Sequence, residues 1–126
     1  MNPEVDAAVA ELRMKFPGVE VTSQEDGDGG AIVTMFPIDP GPSYDQRETW
    51  LKFAISCQYP YSDVYPLFVR VDLSRSDGSN HGPGIAVGSF QGESALQLSR
   101  RSNRRDPALD TAARKVARVI TWLHAQ

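Results

Sequence analysis

Cysteine and histidine, side chains often used as nucleophile, base or metal ligand, are scarce in this chain, which has one Cys and two His. The segment Gly92-Glu93-Ser94-Ala95-Leu96-Gln97-Leu98-Ser99-Arg100 presents two hydroxyls, Ser94 and Ser99, just ahead of Arg100, Arg101 and Arg104. A serine hydroxyl attacks an acyl centre only when a base takes its proton. His81, in the loop Asn80-His81-Gly82-Pro83, is the base within reach in sequence, and its competing role is a solvent-exposed loop histidine. Asn80 or Asn103 can donate to a tetrahedral oxyanion, and losing such a donor typically costs about a hundredfold or more in rate. Ser99 and Ser102 among the arginines suit turns and caps. The single cysteine, Cys57, excludes an intrachain disulfide and any multi-cysteine metal site, and with only His81 and His124 beside it no zinc centre and no cofactor is implied. Cys57 closes the apolar run Phe53-Ala54-Ile55-Ser56, so it is expected to be a small buried hydrophobe.

Charge is unevenly spread. From Ser94 onward seven basic residues face only Asp106 and Asp110, a net +5, whereas the first 93 residues carry −8. Such a basic end either steers an acidic protein or nucleic acid toward it or is a solvated helix face. Nucleic acid is the weaker of these expectations, because phosphate binding would rest on the arginines alone. No apolar run approaches the roughly 18 to 20 residues of a membrane helix, and Glu4 and Asp6 stand where a secretory leader would be basic, so no membrane association and a cytoplasmic location are expected.

With 126 residues and 40% of them hydrophobic, the chain suits a single domain, residues 1–126, with a core of its own. Val5, Val9, Leu12 and Phe16 make one apolar stripe of a helix over residues 2–16, ended by Pro17-Gly18. Strands are expected over 19–23, 31–38, 49–57 and 68–73, the last from its period-two alternation. Between the first two lies Glu25-Asp26-Gly27-Asp28-Gly29-Gly30, whose acids and glycines type it as a turn and not a phosphate cradle. Between the third and fourth, Tyr59-Pro60-Tyr61-Ser62-Asp63-Val64-Tyr65-Pro66 carries two Tyr-Pro pairs, which force extended backbone and remove two ladder donors, so a fixed corner is expected. A last helix starts at Asp106-Pro107 and buries Leu109, Ala113, Val116, Ile120 and Leu123. His124 sits near its end, as a C-terminal cap would. The expected class is α+β: a helix, a four-stranded antiparallel meander, the corner, an active-site loop and a second helix.

This order, the Tyr-Pro corner and the Gly92–Arg100 frame resemble the ubiquitin-conjugating enzyme superfamily, the UBC/RWD-like fold. In that family the site runs Gly-x-x-Cys-Leu after a Tyr-Pro-x-x-Pro-Pro corner and a His-Pro-Asn triplet; Asn80-His81-Gly82-Pro83 is similar to the triplet, and Ala95 falls in the cysteine slot. The shortened terminus resembles the bacterial branch. The resemblance implies a carrier that accepts an activated ubiquitin-like protein from an adenylating activating enzyme and transfers it to a target protein, in a bacterial ubiquitination-like pathway. Tyr59, Pro60, Tyr65 and Pro66 would wall the site, and Arg100, Arg101 and Arg104 would hold the modifier or its tail. Three readings of Ala95 stay open: an exchanged cysteine, a site that uses Ser94 to form an oxyester, or a pseudoenzyme that binds without carrying.

Overall fold

Apolar spacing sets the first helix: Val5, Ala8, Val9 and Leu12 recur three and four residues apart, and all are buried in α1 (Pro3–Lys15). The computed structural model describes all 126 residues. After α1 come β1 (Glu20–Glu25), β2 (Ala31–Ile38), β3 (Thr49–Ile55), β4 (Leu67–Arg70), β5 (Ile85–Phe90), β6 (Glu93–Leu98) and α2 (Ala112–His124). The expected α+β class is observed, but the sheet has six strands, in the order β1-β2-β3-β4-β6-β5, and every neighbouring pair is antiparallel.

The pleat sends alternate residues to opposite faces. One cross-strand row reads Val21, Met35, Leu51, Val69 and Leu96, and all five are buried together with Val5, Leu12, Val116 and Leu123 of the two helices in one core. Both helices therefore cover the same face. The opposite face carries Thr22, Thr34, Lys52, Phe68, Gln97 and Ala86 in one row and has no helix over it.

The four-stranded meander and the active-site loop are the main corrections. Residues 85–98 are a hairpin, not an irregular segment. Its turn, Gln91-Gly92, has φ of 51° and 79°, which is what a two-residue hairpin turn needs to match strand twist. Gly92 is thus a turn residue. The alternation that marks a half-buried strand is absent from Glu93-Ser94-Ala95-Leu96-Gln97-Leu98, because Ala95 and Leu96 are both buried on opposite faces.

The second helix starts later than expected, at Ala112, with Thr111 Oγ1 accepting from the Arg114 amide at 3.3 Å. Asp106 instead organises a separate turn, its carboxylate accepting from the Ala108 amide at 3.0 Å, and Leu109 is left 58% exposed. β3 ends at Ile55, so Cys57 is exposed on the turn that follows and is not a core residue. The Asp26 loop is the expected turn: Asp26 Oδ1 accepts from the amides of Asp28 and Gly30 at 2.8 and 3.0 Å.

Candidate functional site

The fold separates the residues that the sequence grouped together. Ala95 lies inside β6, paired with Arg70 of β4 and Gly88 of β5, and is fully buried. Phe68 pairs with Gln97 and Phe90 with Glu93, so these aromatics flank Ala95 on the open face, and their rings stack there with centroids 4.6 Å apart. Close packing of that kind leaves room for a methyl group and little more. A nucleophile in this slot would be shielded from any acyl donor. Ser94 is exposed at the mouth of a shallow depression of about 620 Å³ shared with Phe36, Trp50, Arg70 and Glu93. No histidine lines it; its carboxylates are Glu48, Asp72 and Glu93, of which Asp72 is paired with Arg70 and Glu93 with Lys52.

His81 and Asn80 lie in the loop before β5. Asn80 is exposed, while the His81 ring is tilted against Tyr44 at 6.0 Å, with its buried Nδ1 unpartnered. His124 Nε2 bonds the Asp39 carbonyl at 2.7 Å, tying the end of α2 to the loop after β2.

A second group does assemble. Arg100, Arg101, Ser102 and Asn103 meet Lys115, Arg118 and Trp122 of α2 around a cleft of about 210 Å³. The Tyr-Pro corner packs against the residues that line it, through Tyr65 with Arg101 and Asp63 with Ser102 and Lys115. Tyr59 is buried and its hydroxyl accepts from the Ala112 amide at 3.0 Å, so the corner fixes the first turn of α2. The carbonyls of Pro60 and Tyr61 accept from Arg105 at 2.8 and 3.1 Å. Tyr65 presents its ring to the Arg101 guanidinium at 4.1 Å, a cation–π geometry. Pro66 leads directly into β4. These contacts place the corner beside Arg101 and Arg105.

At the centre is Asp63, which the sequence reading passed over. Its carboxylate accepts from the Ser102 amide at 2.8 Å, from Ser102 Oγ at 3.0 Å and from Lys115 Nζ at 3.0 Å, with Arg105 at 3.6 Å. Burial alone would raise the Asp63 carboxyl, but the Ser102 and Lys115 hydrogen bonds outweigh it and hold the group below its ordinary range. Burial pushes the Lys115 ammonium down despite the Asp63 charge. Three acceptors nonetheless surround Nζ, namely Asp63, Ser102 Oγ and the Arg100 carbonyl. That is the coordination of a charged lysine, so Lys115 is a structural cation. Asp63 was legible only as an acid inside a Pro-rich corner, and Lys115 only as a charge interrupting the apolar stripe of α2.

The remaining charges sort cleanly. Lys115 and Arg105 are paired to Asp63, and Arg118 to Asp110 at 2.9 Å. Arg100 lies over the Trp122 ring at 5.2 Å and Arg101 over Tyr65, while Arg104 follows in the same segment with φ of 53°. These three are exposed, and none has a carboxylate partner. Asn103 sits among them on the cleft rim. Such an arrangement binds anions, and the one hydroxyl lining the cleft, Ser102, is held by Asp63 and Lys115. No helix of the chain is long and apolar enough to cross a membrane, and no group of His, Cys, Asp and Glu side chains is placed to hold a metal ion. Comparison with protein-family models, with curated proteins and with solved structures finds no match for this chain.

Proposed function

We propose that this chain is a non-catalytic binding module of the UBC/RWD-like kind that engages an acidic segment of a protein partner in the arginine-lined cleft between residues 100–104 and α2. The observation that carries the reading is the division of charge at the cleft. Its buried cations are neutralised by Asp63, whereas Arg100, Arg101 and Arg104 project without a carboxylate of their own. Guanidinium groups pair with carboxylates in bidentate fashion, so a Glu- or Asp-rich segment is the matching ligand. Tyr65 and Trp122 beneath two of these arginines restrict their motion and lower the entropy lost on binding. The carrier reading fits less well, because the slot at Ala95 is closed by Phe68 and Phe90 and His81, the base expected for Ser94, is not among the residues around it.

Two measurements test the proposal. A fluorescent oligo-glutamate peptide, followed by anisotropy, should bind the wild-type chain with an affinity that falls as salt rises, and the triple variant R100Q/R101Q/R104Q should lose that binding while keeping its melting temperature. Preference for a single-stranded oligonucleotide over the peptide would overturn the choice of partner. Separately, the chain and A95C, each incubated with ATP, a cognate ubiquitin-like protein and its activating enzyme, should show no added mass. A thiol-labile adduct on the introduced cysteine, or a hydroxylamine-labile adduct on Ser94, would restore the carrier reading.

A further inference from the structure

The two edges of the sheet are guarded very differently. β1 begins and ends with Glu20 and Glu25, Glu25 holds the Met1 ammonium, and Arg13 Nε donates to the Val21 carbonyl at 3.2 Å. Charges and capped carbonyls of this kind keep an edge from pairing with other strands. β5, the opposite edge, reads Ile85-Ala86-Val87-Gly88-Ser89-Phe90, with no charge and no proline. Val87 at its middle is 72% exposed.

The direction of the free hydrogen-bonding groups follows from the hairpin. The two-residue turn at Gln91-Gly92 makes Phe90 and Glu93 a hydrogen-bonded pair. At the other end the Gly84 carbonyl accepts from the Ser99 amide at 2.8 Å. Even-numbered residues therefore turn their backbone toward β6, and Ile85, Val87 and Ser89 turn theirs outward. The Ile85 amide is occupied by the Gly82 carbonyl at 3.3 Å. The outward set left open is the carbonyls of Ile85, Val87 and Ser89 and the amides of Val87 and Ser89.

The geometry points to β5 as an interface with a second copy of this chain, formed by antiparallel pairing about a two-fold axis at Val87. That register is self-complementary. Each Val87 amide donates to the partner's Val87 carbonyl and each Ser89 amide to the partner's Ile85 carbonyl, so every open donor is used and the occupied Ile85 amide is not needed. The two Val87 side chains become direct cross-strand neighbours on the helix side, removing the exposed valine from water. A two-fold contact places the same surface on both copies, and β5 meets it without bringing like charges together, since it has none. The product is a continuous sheet through both copies, with the arginine clefts left free.

The test is sedimentation equilibrium from micromolar to millimolar concentration, set beside amide hydrogen exchange. The wild-type chain should pass from 13.9 kDa to twice that mass, and the Val87 and Ser89 amides should gain protection with concentration. Val87→Pro removes an outward donor and no β6 bond, a position where proline is tolerated, so it should stay monomeric with its fold intact. Val87→Lys, which places like charges across the axis, should also be monomeric and covers the case in which the proline variant misfolds. A wild-type chain that is monomeric throughout, or a dimer that persists in Val87→Lys, would overturn the assignment.

Discussion

Asp63→Ala is the sharpest probe of how the cleft is held. The substitution removes the only carboxylate near Lys115 and leaves its ammonium among the Ser102 hydroxyl and the Arg100 carbonyl, two neutral acceptors. Breaking a buried pair at one end typically costs about 3–5 kcal/mol. Here the Lys115 side chain is 7% exposed and Asp63 18%, so water reaches part of the carboxylate and the lower end, about 3 kcal/mol, is expected. Asp63→Asn keeps an acceptor for the Ser102 amide but loses the charge, and should fall between the wild type and Asp63→Ala. The double variant Asp63→Leu/Lys115→Met, apolar at both ends, should recover most of the loss, since removing both partners avoids a stranded charge. Urea denaturation followed by tryptophan fluorescence measures all four, with Trp122 beside the cleft as reporter. The sign with pH is fixed too. Because the folded Asp63 carboxyl lies below its ordinary value of 3.8, its contribution is complete above that pH and disappears as pH falls through the lower folded value. Asp63→Ala should therefore flatten the acid limb of the stability profile. A loss of less than about 1 kcal/mol, the range of a surface ion pair, or a double variant no more stable than Asp63→Ala, would refute the reasoning.

Three further outcomes are expected. In Ala95→Cys, a thiol reagent should titrate Cys57 at once and the introduced thiol only on unfolding; immediate reaction of both would show that Phe68 and Phe90 do not close over position 95. Ala95→Leu overfills the same space and should cost about 1–3 kcal/mol in urea, with a neutral effect counting against the packing. Thr111→Ala removes the cap that accepts from the Arg114 amide and should cost about 1 kcal/mol; Asp106→Ala, outside the helix, should cost less, and the reverse order would place the helix start at Asp106.

Much of the fold was legible in the chain itself. The helical stripe of α1, the strands around residues 31–38 and 49–55, and the Asp26 turn follow from local periodicity and turn chemistry, which act between residues a few positions apart. That the Tyr-Pro segment is a corner and not a strand was readable too, because proline removes a ladder donor, but the extended backbone expected at its first pair is instead a turn, with the Tyr59 and Tyr61 amides bonding the Ser56 and Gln58 carbonyls at 3.0 and 2.9 Å. The start of α2 was misread for the same local reason. Asp106-Pro107 is a good start signal, but the turn it begins is held by Asp110, whose carboxylate accepts from the Asp106 amide at 2.7 Å, and the helix proper waits for Thr111.

What the sequence could not decide is where non-neighbours meet. Gly92-Glu93-Ser94-Ala95 has the frame of a nucleophile loop, yet pairing with β4 and β5 makes it a strand, and two aromatics far apart in sequence, Phe68 and Phe90, bury its central residue. Strand register is a long-range property, so no local pattern encodes it. The arginine run was visible as charge, but which arginines are structural and which are free depended on Asp63, brought from the corner to Ser102, Arg105 and Lys115. Composition placed the positive charge at this end of the chain; only the tertiary structure divided it into cations that hold the cleft together and cations left to meet a partner, because that division is made by distance in space.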